Sequence, residues 1–109
     1  MSKQLRFNYN GTEYTLEFTR RSVEQMERDG FVAEDIKTKP MLMLPTLFAG
    51  AFKANHRFVK PDVIDAIYYQ MTNKTGLIAA LAEMYNEPLL ALLEDPAESS
   101  ENLNWTQSW

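Results

Sequence analysis

The stretch LRFNYNGTEYTLEF, residues 5–18, decides the fold. Asn10-Gly11 stands between two runs in which apolar and polar residues alternate. That dipeptide is the strongest short signal for a β-hairpin, because both residues accept the positive φ that a tight two-residue turn demands. The turn also sets a register: Tyr9 opposite Thr12, Phe7 opposite Tyr14, and Leu5 opposite Leu16. Leu5, Phe7, Tyr14 and Leu16 then share one face, and Arg6, Asn8, Glu13, Thr15 and Glu17 share the other. Turn chemistry and hydrophobic pattern demand the same pairing, which is what a specified register requires. Two strands alone are marginally stable, so a hairpin over 3–18 must lay its apolar face on something else.

The remainder of the chain offers helices for that purpose. Ser22 is a candidate N-cap with Gln25 three residues on, and Gly30 suits the left-handed position after the last turn, which predicts a helix over 22–29. Residues 31–39 read as a connection. In KPMLMLPTLFAGAF, residues 39–52, Pro45 would kink a helix begun at Pro40 but fits the first turn of one begun near Leu44. A helix is therefore expected over about 44–56. Leu44, Leu47, Phe48, Ala51 and Phe52 make its wide apolar stripe, and Gly50 lets another element come close. The stripe reads first as core and, more sharply, as core plus a subunit contact. Pro61 and Asp62 open a helix over 61–71, TNKTG at 72–76 interrupts it, and a further helix covers 75–85. Pro88 disfavours continuation through Glu87, and Asn86 can cap a short last helix over 87–94. The expected class is α+β: a hairpin packed on four to five short helices in a single domain, residues 1–93.

Charge separates the end of the chain from this body. Four of the fifteen acidic residues, Glu94, Asp95, Glu98 and Glu101, fall after residue 93, while all eleven Lys and Arg fall before it. The formal charge of −4 thus belongs to residues 94–109. A neutral body without a basic face argues against nucleic acid as a partner. With no cysteine, neither a disulfide framework nor a thiolate metal site is available. The longest uncharged stretch, Pro40–Phe52, has 13 residues, whereas a bilayer-spanning helix needs about 20. No apolar core of a secretion signal follows the first residues. The expectation is an intracellular protein with no membrane segment.

The acidic tail ends in ENLNWTQSW, residues 101–109, which holds both tryptophans of the chain. In extended form Leu103, Trp105, Gln107 and Trp109 share a face; in a helix Trp105 and Trp109 also coincide. Periodicity cannot choose between the two. The hairpin has open edges, so the tail is a candidate third strand; otherwise it is a free motif for a partner.

Catalytic constellations are not recognisable. His56 is the sole histidine, and a capping or surface role outweighs that of a base. Asp62 and Asp65 lack the further ligands that a metal would need, and the four glycines are isolated rather than gathered in a phosphate loop. No catalytic residue, cofactor or metal is expected. Arg20 and Arg21 read as a solvated turn balanced by Glu24 and Glu27, or more sharply as a contact for an acidic peptide.

The segments FNYNGTEYTLEFTRRSVEQMERDGF (7–31), KPMLMLPTLFAGAFKANHRFV (39–59) and MYNEP (84–88), with a Trp-bearing end after an acidic stretch, resemble a family of small proteins from tailed bacteriophages and prophages of Gram-positive bacteria. These are similar in size and element order to the tail assembly chaperones of long-tailed phages. The resemblance implies a non-enzymatic viral protein in the cytoplasm of the infected or lysogenic bacterial host. It implies binding to the tape-measure protein, recruitment of tail-tube subunits, and self-association into a homo-oligomer. The alternative is a structural virion component, either head–tail joining or tube-associated. A helical client needs an apolar, accommodating surface, and methionine supplies one. The candidate partner-binding residues are Met41, Met43, Leu47, Phe48 and Phe52, together with Trp105, Trp109, Arg20 and Arg21.

Overall fold

A computed structural model describes residues 3–95 and 101–109. Strand β1 (Leu5–Tyr9) and strand β2 (Thr12–Leu16) pair antiparallel, with Leu5 opposite Leu16, Phe7 opposite Tyr14 and Tyr9 opposite Thr12. Asn10 and Gly11 take φ of 50° and 81°, so the expected turn and register both form. Leu16 is fully buried, while Leu5, Phe7, Tyr9 and Tyr14 pack partly buried against the core.

Four helices complete the α+β fold. Helix α1 (Arg20–Arg28) begins two residues before the expected start, because Thr19 and not Ser22 is its N-cap. The Thr19 hydroxyl accepts the Ser22 N–H at 3.1 Å, and the Ser22 hydroxyl accepts the Thr19 N–H at 2.9 Å. This reciprocal pair satisfies two donors at once, which a cap at Ser22 could not do while also serving here. The helix ends as expected: Gly30 adopts φ 97°, its N–H reaches the Glu27 carbonyl, and the Phe31 N–H reaches the Met26 carbonyl. A single 3-10 turn, Ala33–Ile36, lies within the expected connection.

Helix α2 (Pro40–Gly50) corrects the reading of 44–56. Pro40 occupies the first turn, and Pro45 lies inside the helix. Pro45 forfeits one hydrogen bond, but the first turn stands in solvent, with Met41 and Leu42 exposed, and the Thr46 hydroxyl donates to the Leu42 carbonyl at 2.7 Å. Beyond Gly50 the chain tightens into i to i+3 turns, with Phe52 and Lys53 bonding back to Ala49 and Gly50. Gly50 does admit a close neighbour: a Cβ there would overlap the thioether of Met26 on α1.

Helix α3 (Pro61–Gln70) follows the expected bounds to within one residue and buries Ile64 and Ile67. Helix α4 (Lys74–Leu93) replaces the two helices expected over 75–85 and 87–94. Asn73, in the left-handed region, caps it through the Gly76 N–H. Pro88 is accommodated inside the helix, and Asn86 caps nothing. Interruption at Pro88 would save one lost bond but create two new helix ends with orphan groups, so continuity wins. By length and composition alone α4 could cross a membrane, yet its first half is a core helix that buries Leu77, Leu81, Met84 and Tyr85.

The core gathers where these elements meet. Phe52 lies edge-on to Phe7, Tyr14 and Phe48, joining the hairpin to α2. Phe48 meets Tyr68 of α3, and Tyr85 of α4 meets Phe18 and Phe31.

The described part of the tail, 101–109, forms no strand, and the sheet has two strands. The third-strand expectation is therefore not met among the described residues. A physical reason lies on the outer edge of β2. Thr15 gives its N–H to His56 Nε2 at 3.0 Å and accepts at its carbonyl from Asn55 Nδ2 at 3.2 Å, while the Glu17 N–H reaches the Ala51 carbonyl. The segment after α2 thus occupies the groups that a third strand would have used on that edge.

Candidate interaction surface

The structure divides the candidate residues into two sets. Leu47, Phe48 and Phe52 are each about 1% exposed and form the core itself. They correct the expectation of a partner contact there, because the α2 stripe is spent on the hairpin, α3 and α4. Met43 is half-buried against the same core. The others face outward. Met41 is 88% exposed, and Trp105 and Trp109 are 79% and 95% exposed. Arg20 pairs with Glu24 at 3.4 Å on the surface of α1, as the milder reading expected. Arg21 is exposed without an ion pair among the described residues.

His56 is neither free nor purely superficial. Its Nε2 accepts from Thr15, which requires the neutral ring with its proton on Nδ1, and its ring lies 5.0 Å from Tyr14. It borders a shallow recess of about 300 Å³ whose walls include Phe52, Val59 and Ile64. Among the described residues no group of three or more His, Asp or Glu side chains is placed to hold a metal ion.

The larger apolar surface went unrecognised in the sequence. Past Tyr85, α4 runs beyond the body, and Leu89, Leu90, Leu92 and Leu93 are all exposed. At 3.6 residues per turn these four leucines spread over an arc of about 160°, one broad apolar face that the body leaves exposed. The signal was present in PLLALL, residues 88–93, which has no polar position at all. Breaking the helix at Pro88 concealed it, since a short separate helix could fold back onto the core.

One groove adjoins this end, and a second shares Thr19 with it. The first, of about 600 Å³, runs between α4 and the β2–α1 junction, lined by Phe18, Arg20, Pro88, Ala91 and Leu92 among others. The second, of about 530 Å³, carries Arg21, Lys53 and Arg57. Among the described residues no acidic side chain lines the second groove. Glu87, at the edge of the first, accepts from the Lys3 backbone N–H, and Lys3 bonds Glu83 through its ammonium at 2.6 Å. That bond and the attraction behind it hold Glu83 below the usual glutamate range and Lys3 above the usual lysine value. Burial pushes the Tyr85 hydroxyl up, with a smaller push from the Glu27 carboxylate.

The described surface thus carries exposed leucines, exposed indoles and a groove with three cations. No curated protein and no solved structure matches the chain. A family model described as a domain of unknown function, DUF5055, matches residues 1–109, and the chain belongs to that family.

Proposed function

We propose that this protein is a non-enzymatic tail assembly chaperone of a tailed phage or prophage, which binds the tape-measure protein and recruits tail-tube subunits. The observation that carries the reading is the exposed, leucine-bearing end of α4. A tape-measure protein is long and rich in amphipathic helix, and its apolar stripes must be covered until the tube forms around it. Leu89, Leu90, Leu92 and Leu93 present apolar area on a rigid rod, which suits helix-to-helix contact. Met41 and Leu42, exposed at the start of α2, offer a second, adaptable apolar spot. Exposed apolar area of this kind marks a contact surface rather than a solvated one.

Co-expression with a tape-measure fragment tests the proposal. The chaperone reading expects a soluble complex that survives purification, and an aggregated fragment when this chain is omitted. An equally aggregated fragment in both cases would exclude it. Stoichiometric recovery of the protein from finished virions would instead favour the structural-component reading.

A further inference from the structure

The second groove poses a separate question, independent of the chaperone reading. It brings together three cations from two parts of the chain: Arg21 in the first turn of α1, and Lys53 and Arg57 after α2. None of the three has an ion pair among the described residues. Like charges held together without anions repel one another, and an anionic occupant relieves that repulsion. The two grooves share Thr19 in their walls, and the first is lined by the apolar Phe18, Pro88, Ala91 and Leu92 beside Arg20 and Glu87. Side by side they make a track that is mainly apolar on one side of Thr19 and basic on the other.

One segment of this chain has the matching chemistry. Residues 94–109 hold four carboxylates and no base, and end with the two indoles. In its own chain the end of this segment is not seated on the track, since Trp105 and Trp109 are almost fully exposed. The body thus has a basic and apolar track with no anion paired to its cations among the described residues, and the end of the chain has unburied apolar rings on an acidic strip.

We infer that the C-terminal segment of a second copy docks along this track, its indoles against Phe18, Pro88 and Leu92 and its carboxylates beside Arg21, Lys53 and Arg57. The exchange is reciprocal: each copy gives its segment and receives its partner's, which closes a two-fold dimer rather than an open chain. The ionic half weakens as salt rises, because the cations are exposed.

Both tryptophans of the chain lie in this segment, so intrinsic tryptophan fluorescence reports on it alone. Dilution of the full chain, followed by emission and by light scattering, tests the inference. The expected result is a blue-shifted dimer at high concentration and a red-shifted monomer at low concentration. The double variant Lys53→Glu, Arg57→Glu alters only exposed side chains and should weaken dimerisation at least tenfold, with circular dichroism unchanged. Trp105→Ser with Trp109→Ser should do the same. Mixing the two variants restores one intact groove and one intact segment, so a heterodimer should form where neither variant alone dimerises. Water-like emission at every concentration would overturn the inference. So would a blue shift independent of concentration, which places the segment on its own chain, and so would dimerisation unaffected by the groove variant.

Discussion

His56 Nε2 accepts the backbone N–H of Thr15 at 3.0 Å, across 41 residues of sequence. With Asn55 on the Thr15 carbonyl, this bond closes the outer edge of β2 using side chains from the turn after α2. An exposed edge is a template for pairing with other strands, and here it is blunted by two short polar residues. Replacing His56 by Ala removes the acceptor and its ring contact with Tyr14. The expected cost is about 1–3 kcal/mol, since the Thr15 N–H loses its partner in a part-buried place. Urea denaturation measures it. A change under a few tenths of a kcal/mol would show that water replaces the imidazole without loss.

The same edge makes a prediction for the tail. Deleting residues 103–109 removes no strand from the sheet, so the unfolding midpoint of the monomer should move by no more than about 0.5 kcal/mol equivalent, the usual range for surface changes. A thermal scan at low protein concentration reads this without interference from association.

Gly50 and Met26 form a second pair. A Cβ at position 50 enters the space of the Met26 thioether, so Gly50→Ala should destabilise by about 1–3 kcal/mol through overpacking between α2 and α1. Met26→Ala leaves a cavity and should cost about 2–5 kcal/mol. The double variant should cost less than the sum, because the new methyl occupies part of the vacated space. Additive costs from denaturant titrations would mean that the two residues do not compete for the same volume.

The pH dependence divides by sign. Glu83 is held low, so its contribution is present above the unfolded value of 4.5 and fades as pH falls through its folded value. Lys3 is held high, so its contribution is present below 10.5 and fades as pH rises through its folded value. Both ends of this pair are exposed, and Lys3→Met should leave stability at pH 7 almost unchanged. Tyr85 is also held high, by burial. The unfolded chain ionises near pH 10.0 before the folded one does, so stability falls above that pH. Tyr85→Phe should flatten the alkaline limb of a stability–pH profile and leave the acid limb alone.

The hairpin was legible in the sequence because its determinants are local: Asn10-Gly11 imposes the turn, and the alternation on either side confirms the register. Helix ends were less legible where two residues compete for one role. Thr19 and Ser22 are both good caps, and only the reciprocal bond between them settles the start of α1. Pro45 and Pro88 misdirected the reading because each costs one hydrogen bond locally, whereas the saving from an unbroken helix is spread over its length. Of the candidate contact residues, Met41, Trp105 and Trp109 stand exposed, whereas Leu47, Phe48 and Phe52 belong to the core. Periodicity identifies an apolar stripe without saying which neighbour covers it, and the exposed leucines of α4 emerged only once that helix was seen to be continuous.

The chaperone proposal rests on those leucines, and substituting them separates folding from binding. Replacing Leu89, Leu90, Leu92 and Leu93 by Gln keeps helix propensity and removes apolar side chains that are mostly exposed. Monomer stability should stay within about 1 kcal/mol of the parent. The most direct measurement is the turbidity of a tape-measure fragment refolded with the parent protein or with this variant. The account predicts a clear solution with the parent and aggregation with the variant. Equal protection by both proteins, or protection by neither, would contradict it.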